Sequence, residues 1–470
     1  MPSWPALDSA LPIGTVHHPV NLFSRIGIVF LIPFLYFLFS RILDVTVPHL
    51  HLPLVFGVIT MIATVLEGSL LQVLQSPTAR YLTLYSFWFG VTAVTGLWKG
   101  GSFWLLRDYW IKSFIIFLAL ACLVASLQRV RWALRAMTLA IASTAVVALL
   151  IGDLDREGRL RLPAGELANS NAFGIIMVLG LTLCWYGATH PVRRKFWRIA
   201  TVASAVPIIY AAARTGSRAA FVAFLLTLLY VFFRLPLPKK IWLVLLCIPL
   251  LGGLAALIPE HLQDRLATVF VTDTEEAEGD PLSEVERSAL ASRRSRWQLL
   301  QRSIIITLQN PILGVGPGNF MVAEDELAKQ EKLPRGSWRA THNAYTETSS
   351  EMGLPGLILY CTAMVSAWAA MRRLSRLNAS DPQAAEIQHT AFSLQAALFC
   401  ISVAAFFGLS LYTYYIPSLL GLITGFARWA HSTLAACPQP SPSQTGPQEE
   451  TRASSPGTHA GNLRRPWPHG

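Results

Sequence analysis

Charged residues are scarce in this sequence: 14% of its 470 residues are Asp, Glu, Lys or Arg, whereas 53% are hydrophobic. Soluble domains carry about a quarter of their residues as charges to keep their surfaces wet, so the composition argues against two or three soluble domains and for a membrane protein. The mean hydropathy of +0.45 agrees. Cysteine is sparse as well. Cys122, Cys184, Cys247, Cys361 and Cys400 fall in apolar segments and Cys437 in the C-terminal stretch, so neither a disulfide framework nor a CxxC metal signature follows. EF-hand, P-loop and HExxH patterns are missing, and no internal repeat is visible. The N-terminal residues lack the basic region, short apolar run and small-residue cleavage site of a signal peptide, which predicts that the first span, near Ile26 to Ser40, is retained.

What is present is a succession of apolar runs. A bilayer span needs roughly 20 mostly apolar residues. Runs of this kind centre on residues 26–41, 53–71, 81–98, 110–127, 132–151, 172–189, 198–213, 219–233, 241–258, 354–371, 391–409 and 412–430. The expectation is an all-α integral membrane fold of about twelve transmembrane helices with one large, partly helical periplasmic loop. The division between the last two runs rests on a short turn near Ser410, and a re-entrant segment there is the alternative.

The net charge of +11 does not indicate nucleic acid, because the Lys and Arg residues lie in short clusters between apolar runs. With the N-terminus in the cytoplasm, the inner loops contain Arg80; Arg129, Arg131 and Arg135; Arg193, Arg194, Lys195 and Arg198; Arg234, Lys239 and Lys240; and Arg372, Arg373 and Arg376. That is the positive-inside pattern. It predicts a multi-pass inner-membrane protein with both termini cytoplasmic and four regions: membrane helices over 1–259, a large periplasmic loop over 260–353, further membrane helices over 354–432, and a disordered tail over 433–470. Residues 152–171 and the turn at Arg214 to Arg218 also fall outside.

Long connections are uncommon in compact folds, which makes the loop a functional candidate. It opens on the acidic run TDTEEAEGDPLSEVE, continues through SRRSRWQLLQRSIIITL, readable as a helix with Trp297, Leu300 and Ile304 on one apolar stripe, turns at NPILGVGPGNF, and closes on THNAYTETSSEMGLPG.

Arg214 and Arg218 stand on the outer side, against the topology signal. Snorkelling to lipid phosphates is one reading of them. The other is an anion site, with guanidinium forks on phosphate oxygens and Thr215, Gly216 and Ser217 adding donors. Arg159 and Arg161, and Arg293, Arg294 and Arg296, bring more cationic charge to the same face. Pairing with the acidic run at Glu275 to Glu286 is their structural alternative. His342, beside Asn343, Tyr345, Glu347 and Glu351, is the candidate general acid or base, because an imidazole exchanges protons near neutral pH. Helical spacing places His342, Thr346 and Ser349 or Ser350 on one face and Glu347 and Glu351 on another. No second His stands at i+3 or i+4, so no metal is expected.

The strings RTGSRAAFVAF at 214–224, RRSRWQLLQRSIIITLQNPILGVGPGNF at 293–320 and HNAYTETSSEMGLPG at 342–356 resemble, in that order, the O-antigen ligase and polymerase superfamily, and most closely its ligases. The resemblance implies transfer of a glycan from undecaprenyl pyrophosphate to a sugar of lipid A core on the periplasmic face, with no cofactor. It carries the family's essential loop histidine onto His342 and its outward arginine onto Arg218. The loop arginine before a tryptophan falls within Arg293 to Arg296, and Arg161 is a looser match. On this reading Arg161, Arg214, Arg218, Arg293 and Arg296 hold the donor pyrophosphate. His342 takes the acceptor proton with inversion at the anomeric carbon, and Asn343, Tyr345 and Glu347 support it. The superfamily also contains polymerases and protein O-oligosaccharyltransferases. A secondary transporter is the rival of another class, against which stand the lack of paired Gly/Pro-broken segments and the scarcity of acids within spans, Glu67 being the clearest exception.

Overall fold

The computed structural model describes residues 21–47, 51–191, 195–257, 259–267, 284–332, 336–377, 382–408, 410 and 412–436. In chain order the helices are α1 Leu22–Ser40, α2 Ile42–Thr46, α3 Leu52–Glu67, α4 Leu70–Leu74, α5 Pro77–Thr95, α6 Lys99–Leu105, α7 Ile111–Leu123, α8 Leu127–Ile151, α9 Ser170–Thr189, α10 Lys195–Arg214, α11 Arg218–Arg234, α12 Leu237–Leu257, α13 Glu260–Ala267, α14 Glu284–Gln309, α15 Phe320–Gln330, α16 Ala344–Leu374, α17 Pro382–Ala404 and α18 Tyr415–Ala436. A π-helical turn, Leu106–Trp110, joins α6 to α7. Helix starts follow side-chain caps: Asn21, Ser76, Ser126, Asn169, Ser217 and Asn343 each accept a backbone N–H from the first turn they precede.

A helix lies across each of the twelve apolar runs. Of these, α1, α8, α9, α10, α16 and α17 are long and apolar enough to cross a membrane. The apolar helix α3 has 16 residues and so rises about 24 Å, short of the ~30 Å hydrocarbon layer. Several elements depart from the sequence reading. Helix α16 begins at Ala344, inside the stretch assigned to the loop, and α18 runs to Ala436, so residues 433–436 of the expected tail are helical. Glu67 is the last residue of α3, where its carboxylate accepts the Ser69 N–H, and so lies at a helix end. A two-stranded antiparallel hairpin, β1 Asp153–Leu154 with β2 Leu160–Arg161, interrupts the all-α pattern. Arg193, Arg194, Cys437, the rest of the tail and most of the acidic run lie outside the described residues.

The core is a continuous apolar cluster drawn from α1, α5, α7, α8, α9 and α16 to α18. Trp110 sits in it, edge-on to Tyr85 at 4.8 Å and stacked on Phe89 at 5.7 Å, with its indole N–H on Ser86 Oγ. The outward faces are apolar too: Phe87, Val206, Phe233, Trp242 and Val365 are exposed. Faces like these are stable only against lipid or a partner.

The long loop is bolted to the membrane helices at a kink in α16. Gly353 has φ 69° and a Cβ there would overlap the Ile312 carbonyl, so only glycine fits. Pro355 adds the loss of the N–H that would bond the Glu351 carbonyl. The backbone groups freed at the kink are taken by the NPILGVGPGNF turn: Val315 N–H on Ser350 O, Gly316 N–H on Glu351 O and Leu354 N–H on Pro311 O, all at 2.8–2.9 Å. The buried Glu351 carboxylate accepts the N–H groups of Gly318 and Phe320 at 2.7 and 3.0 Å and the Tyr412 hydroxyl. Ser102 Oγ holds the Pro317 carbonyl, which ties the turn to α6 as well.

Candidate active site

His342 precedes α16 and is not part of it. Its φ of 54° puts it in the left-handed region, one of the few such non-glycine residues described. Asn343 caps the helix, accepting from Tyr345 and Thr346 N–H at 3.0 and 3.2 Å, and Thr341 Oγ1 donates to the Asn343 carbonyl at 3.0 Å. Ala344 N–H donates to the Ala405 carbonyl at 2.8 Å. This frame holds a backbone conformation that costs on the order of 1–3 kcal/mol. The expected shared face of His342 with Thr346 and Ser349 is therefore absent, because the helical register starts two residues later. Ser349 Oγ meets Thr307 of α14 at 2.9 Å, and Ser350 Oγ bonds the Thr346 carbonyl.

Half-burial lowers the pKa of His342 below its ordinary value, and the positive charges of Arg296 and Arg339 push the same way. The ring is thereby kept neutral, as a proton acceptor has to be. Arg296 lies on α14. It is half-buried, and among the described residues it has no hydrogen-bond or ion-pair partner. Arg293 and Arg294, one turn earlier, are exposed.

A second group of arginines reaches the same place. In the turn between α10 and α11, Gly216 at φ 52° lies so close to its neighbours that a Cβ would meet Leu262 and Arg265 of α13 and Arg159 of the hairpin loop. Arg218 follows as the first residue of α11. Burial lowers its pKa to about 10, helped by the charges of Arg265, Arg296 and Arg293. Arg296 is itself lowered by burial and then by Arg159 and Arg265. Glu157 organises this side: Arg159 Nε and Arg265 Nη1 stand 3.1 and 2.8 Å from one carboxylate oxygen, and Ser288 of α14 donates to the other at 2.5 Å. Asp155 accepts Arg159 Nε at 2.8 Å, Ser170 Oγ at 3.0 Å and two backbone N–H groups. Burial pushes its pKa up, and the backbone bonds and the Arg159 charge hold it below the usual range.

Arg159, Arg218, Arg265, Arg293 and Arg296 thus share one electrostatic neighbourhood, and Arg296 joins it to His342. Arg161 and Arg214 do not appear in it. Arg161 lies in β2 opposite Asp153, its buried Nε without a hydrogen-bond partner among the described residues. Arg214 closes α10 and turns back to Tyr210, bonding its hydroxyl at 3.1 Å. Tyr345 donates to the Ser402 carbonyl at 2.9 Å and packs on Phe406, while Glu347 is half-buried in the first turn of α16. The stripe expected on α14 is also displaced. Leu299 and Ile306 are buried, whereas Trp297 is 60% exposed and Ile304 46%. Among the described residues no group of three or more His, Cys, Asp or Glu side chains is placed to hold a metal ion.

Residues 203–361, from mid-α10 into α16, match a family model described as O-antigen ligase. Over these residues the chain is similar to the O-antigen ligase superfamily. A search of curated proteins finds no match.

The matched segment contains Arg218, Arg265, Arg293, Arg296, Arg339 and His342, whereas Asp155, Glu157, Arg159 and Arg161 lie before it. The match supports an activity of ligase or polymerase type, and together with the apolar helices it supports a multi-pass membrane protein. Arg265, Arg339 and Glu157 were not singled out from the sequence. The available signal was weak: a short amphipathic helix with one arginine directly after a span, and an acidic residue two positions before Arg159.

Proposed function

We propose that this chain is an O-antigen ligase, transferring a glycan from undecaprenyl pyrophosphate to a sugar hydroxyl of lipid A core at the periplasmic face of the inner membrane. The observation that carries the reading is the half-buried Arg296, unpartnered among the described residues, whose charge acts on both the Arg218 guanidinium and the His342 ring and is itself acted on by Arg265. Cations brought together in this way repel one another, and an anion of high charge density relieves that repulsion. A diphosphate fits, because each guanidinium forks onto two oxygens and the negative charge grows as the group leaves.

In this mechanism Arg218, Arg265 and Arg296 hold the departing pyrophosphate. Arg159 and Arg293 add to the field. His342, neutral at pH 7, takes the proton of the acceptor hydroxyl as its oxygen attacks the anomeric carbon. The bond to the phosphate oxygen breaks on the opposite face, so the configuration inverts. Asn343 fixes the start of α16 and with it the histidine, while Tyr345 and Glu347 line the approach.

The test offers the purified protein one undecaprenyl-pyrophosphate-linked glycan together with lipid A core, an acceptor peptide and a second lipid-linked glycan. Glycosylated lipid A core as the dominant product is the expected result. A lengthened lipid-linked glycan identifies a polymerase instead, and glycopeptide a protein O-oligosaccharyltransferase. Glycan-independent uptake into proteoliposomes, with no transfer, identifies a transporter.

A further inference from the structure

At the far end of α8, α9 and α10 from His342 lies a second cationic feature. Helices α8 to α10 each have one end at the arginine cluster: Ile151 leads into the hairpin, Ser170 bonds Asp155, and Arg214 opens the turn that carries Arg218. Arg135 stands sixteen residues before Ile151, about 24 Å away along α8. Between the three helices at that depth is a shallow, open recess, about 20 Å³ inside, lined by Arg135, Thr138, Leu183, Tyr186, Trp197 and Ser204, among others.

The Arg135 guanidinium lies over the Trp197 ring at 4.2 Å from its centroid. Its Nε is buried without a hydrogen-bond partner, and no carboxylate or carbonyl among the described residues accepts from the group. Several other charges at this end are engaged. Arg131 and His190 share Glu386 at 2.8 and 3.0 Å, Arg129 donates to Ser24 and the Leu123 carbonyl, and Arg198 to the His190 carbonyl. Thr138, Thr201 and Ser204 donate their hydroxyl protons to carbonyls of their own helices. Arg135 is the cation among the residues that line the recess.

We infer that the mouth of this recess binds the phosphodiester head group of an anionic phospholipid, with the half-buried Arg135 as the phosphate ligand and the lipid chains running along α8 and α10. Stacking covers one face of a guanidinium and leaves its in-plane N–H groups free, which is the edge that forks onto phosphate oxygens. The flank beside the recess is built to meet acyl chains: Trp132, Leu139, Phe196, Ile199 and Val202 are all exposed. Tryptophan is favoured at the depth of lipid head groups, and a cation with no ion-pair partner among the described residues favours phosphatidylglycerol over a zwitterionic lipid.

Native mass spectrometry of the full chain, released from detergent after equilibration with phosphatidylglycerol or phosphatidylethanolamine, tests the assignment. The wild-type protein should retain phosphatidylglycerol at least fivefold better than phosphatidylethanolamine. Arg135→Gln should abolish that preference, Arg135→Lys should keep only part of it, and Ser204→Leu, which fills the recess from α10 without touching the guanidinium, should lower retention of phosphatidylglycerol. Equal retention of both lipids by the wild type, or an unchanged preference in Arg135→Gln and Ser204→Leu alike, overturns the inference. Displacement of the lipid by millimolar inorganic phosphate assigns the recess to a soluble anion and overturns it as well.

Discussion

Arg339 donates to Ser295 Oγ at 3.2 Å, and this bond sets the segment carrying His342 alongside the turn of α14 that carries Arg296. Arg296 and His342, 46 positions apart in sequence, are thereby aligned before either meets a substrate. The segment is fixed at its other end by Gly336 and Ser337, whose N–H groups donate to Asp325 and Glu324 of α15 at 2.7 Å.

Replacing the imidazole is the most direct check on the proposed mechanism. General-base catalysis contributes about 10²- to 10⁴-fold. His342→Ala should therefore lose at least 100-fold in transfer rate in the reconstituted assay while retaining the wild-type thermal unfolding profile. A folded variant with undiminished turnover would mean that another group takes the proton.

The pH profile follows from the lowered pKa of His342. A base works deprotonated, so transfer should hold as pH falls through the ordinary imidazole value of about 6.5 and decline only through the lower value. Arg296→Gln removes one of the charges that depress it and should move the acid limb to higher pH. Arg339→Gln should move it the same way. Rate measurements from pH 4.5 to 8 on the three proteins decide this, and a limb that stays in place in both variants rules out the coupling.

Glu351 joins the glycine turn to α16 through two backbone hydrogen bonds and accepts a third from the Tyr412 hydroxyl. Glu351→Ala leaves the N–H groups of Gly318 and Phe320 and the Tyr412 hydroxyl without their acceptor in a buried setting, at about 1–3 kcal/mol per orphaned group. The expected result is a lower temperature of thermal inactivation in detergent. Glu351→Gln, which keeps one acceptor oxygen, should fall in between.

Glu157 holds Arg159, Arg265 and Ser288 together, with its side chain about one-third exposed. Glu157→Gln weakens these contacts by about 1–2 kcal/mol after solvent screening. It also leaves more positive charge facing the donor site. Donor KM should change several-fold while the acceptor KM stays within twofold, as steady-state kinetics with each substrate varied in turn would show.

Much of the helical fold could be read from apolar periodicity, because a span announces itself by composition alone. Each of the twelve runs carries a helix. Arg218 and His342 could be singled out because each sits in a short polar string at the end of an apolar one. The choice among Arg293, Arg294 and Arg296 could not be made, since all three occupy one helical turn and only packing decides which faces inward. The stripe on α14 was misread because this helix has two apolar sides, and sequence does not say which of them meets α15. The roles of Arg265 and Glu157 depend on α13 docking against the hairpin loop, a tertiary event with no local signature.

Helix α14 touches the Arg159 and Arg265 side of the site through Ser288 and the α16 side through Thr307. Nineteen residues separate these contacts, a rigid rod of about 28 Å. Its length in residues therefore sets the spacing of the two halves of the site, as a spacer bar does between plates. Side chains along its open face are free to vary, but inserting or deleting one residue between Ser288 and Ser295 swings Arg296 by about 100° relative to one support or the other. The proposed transfer should thus tolerate many exchanges in this stretch and very few changes in its length.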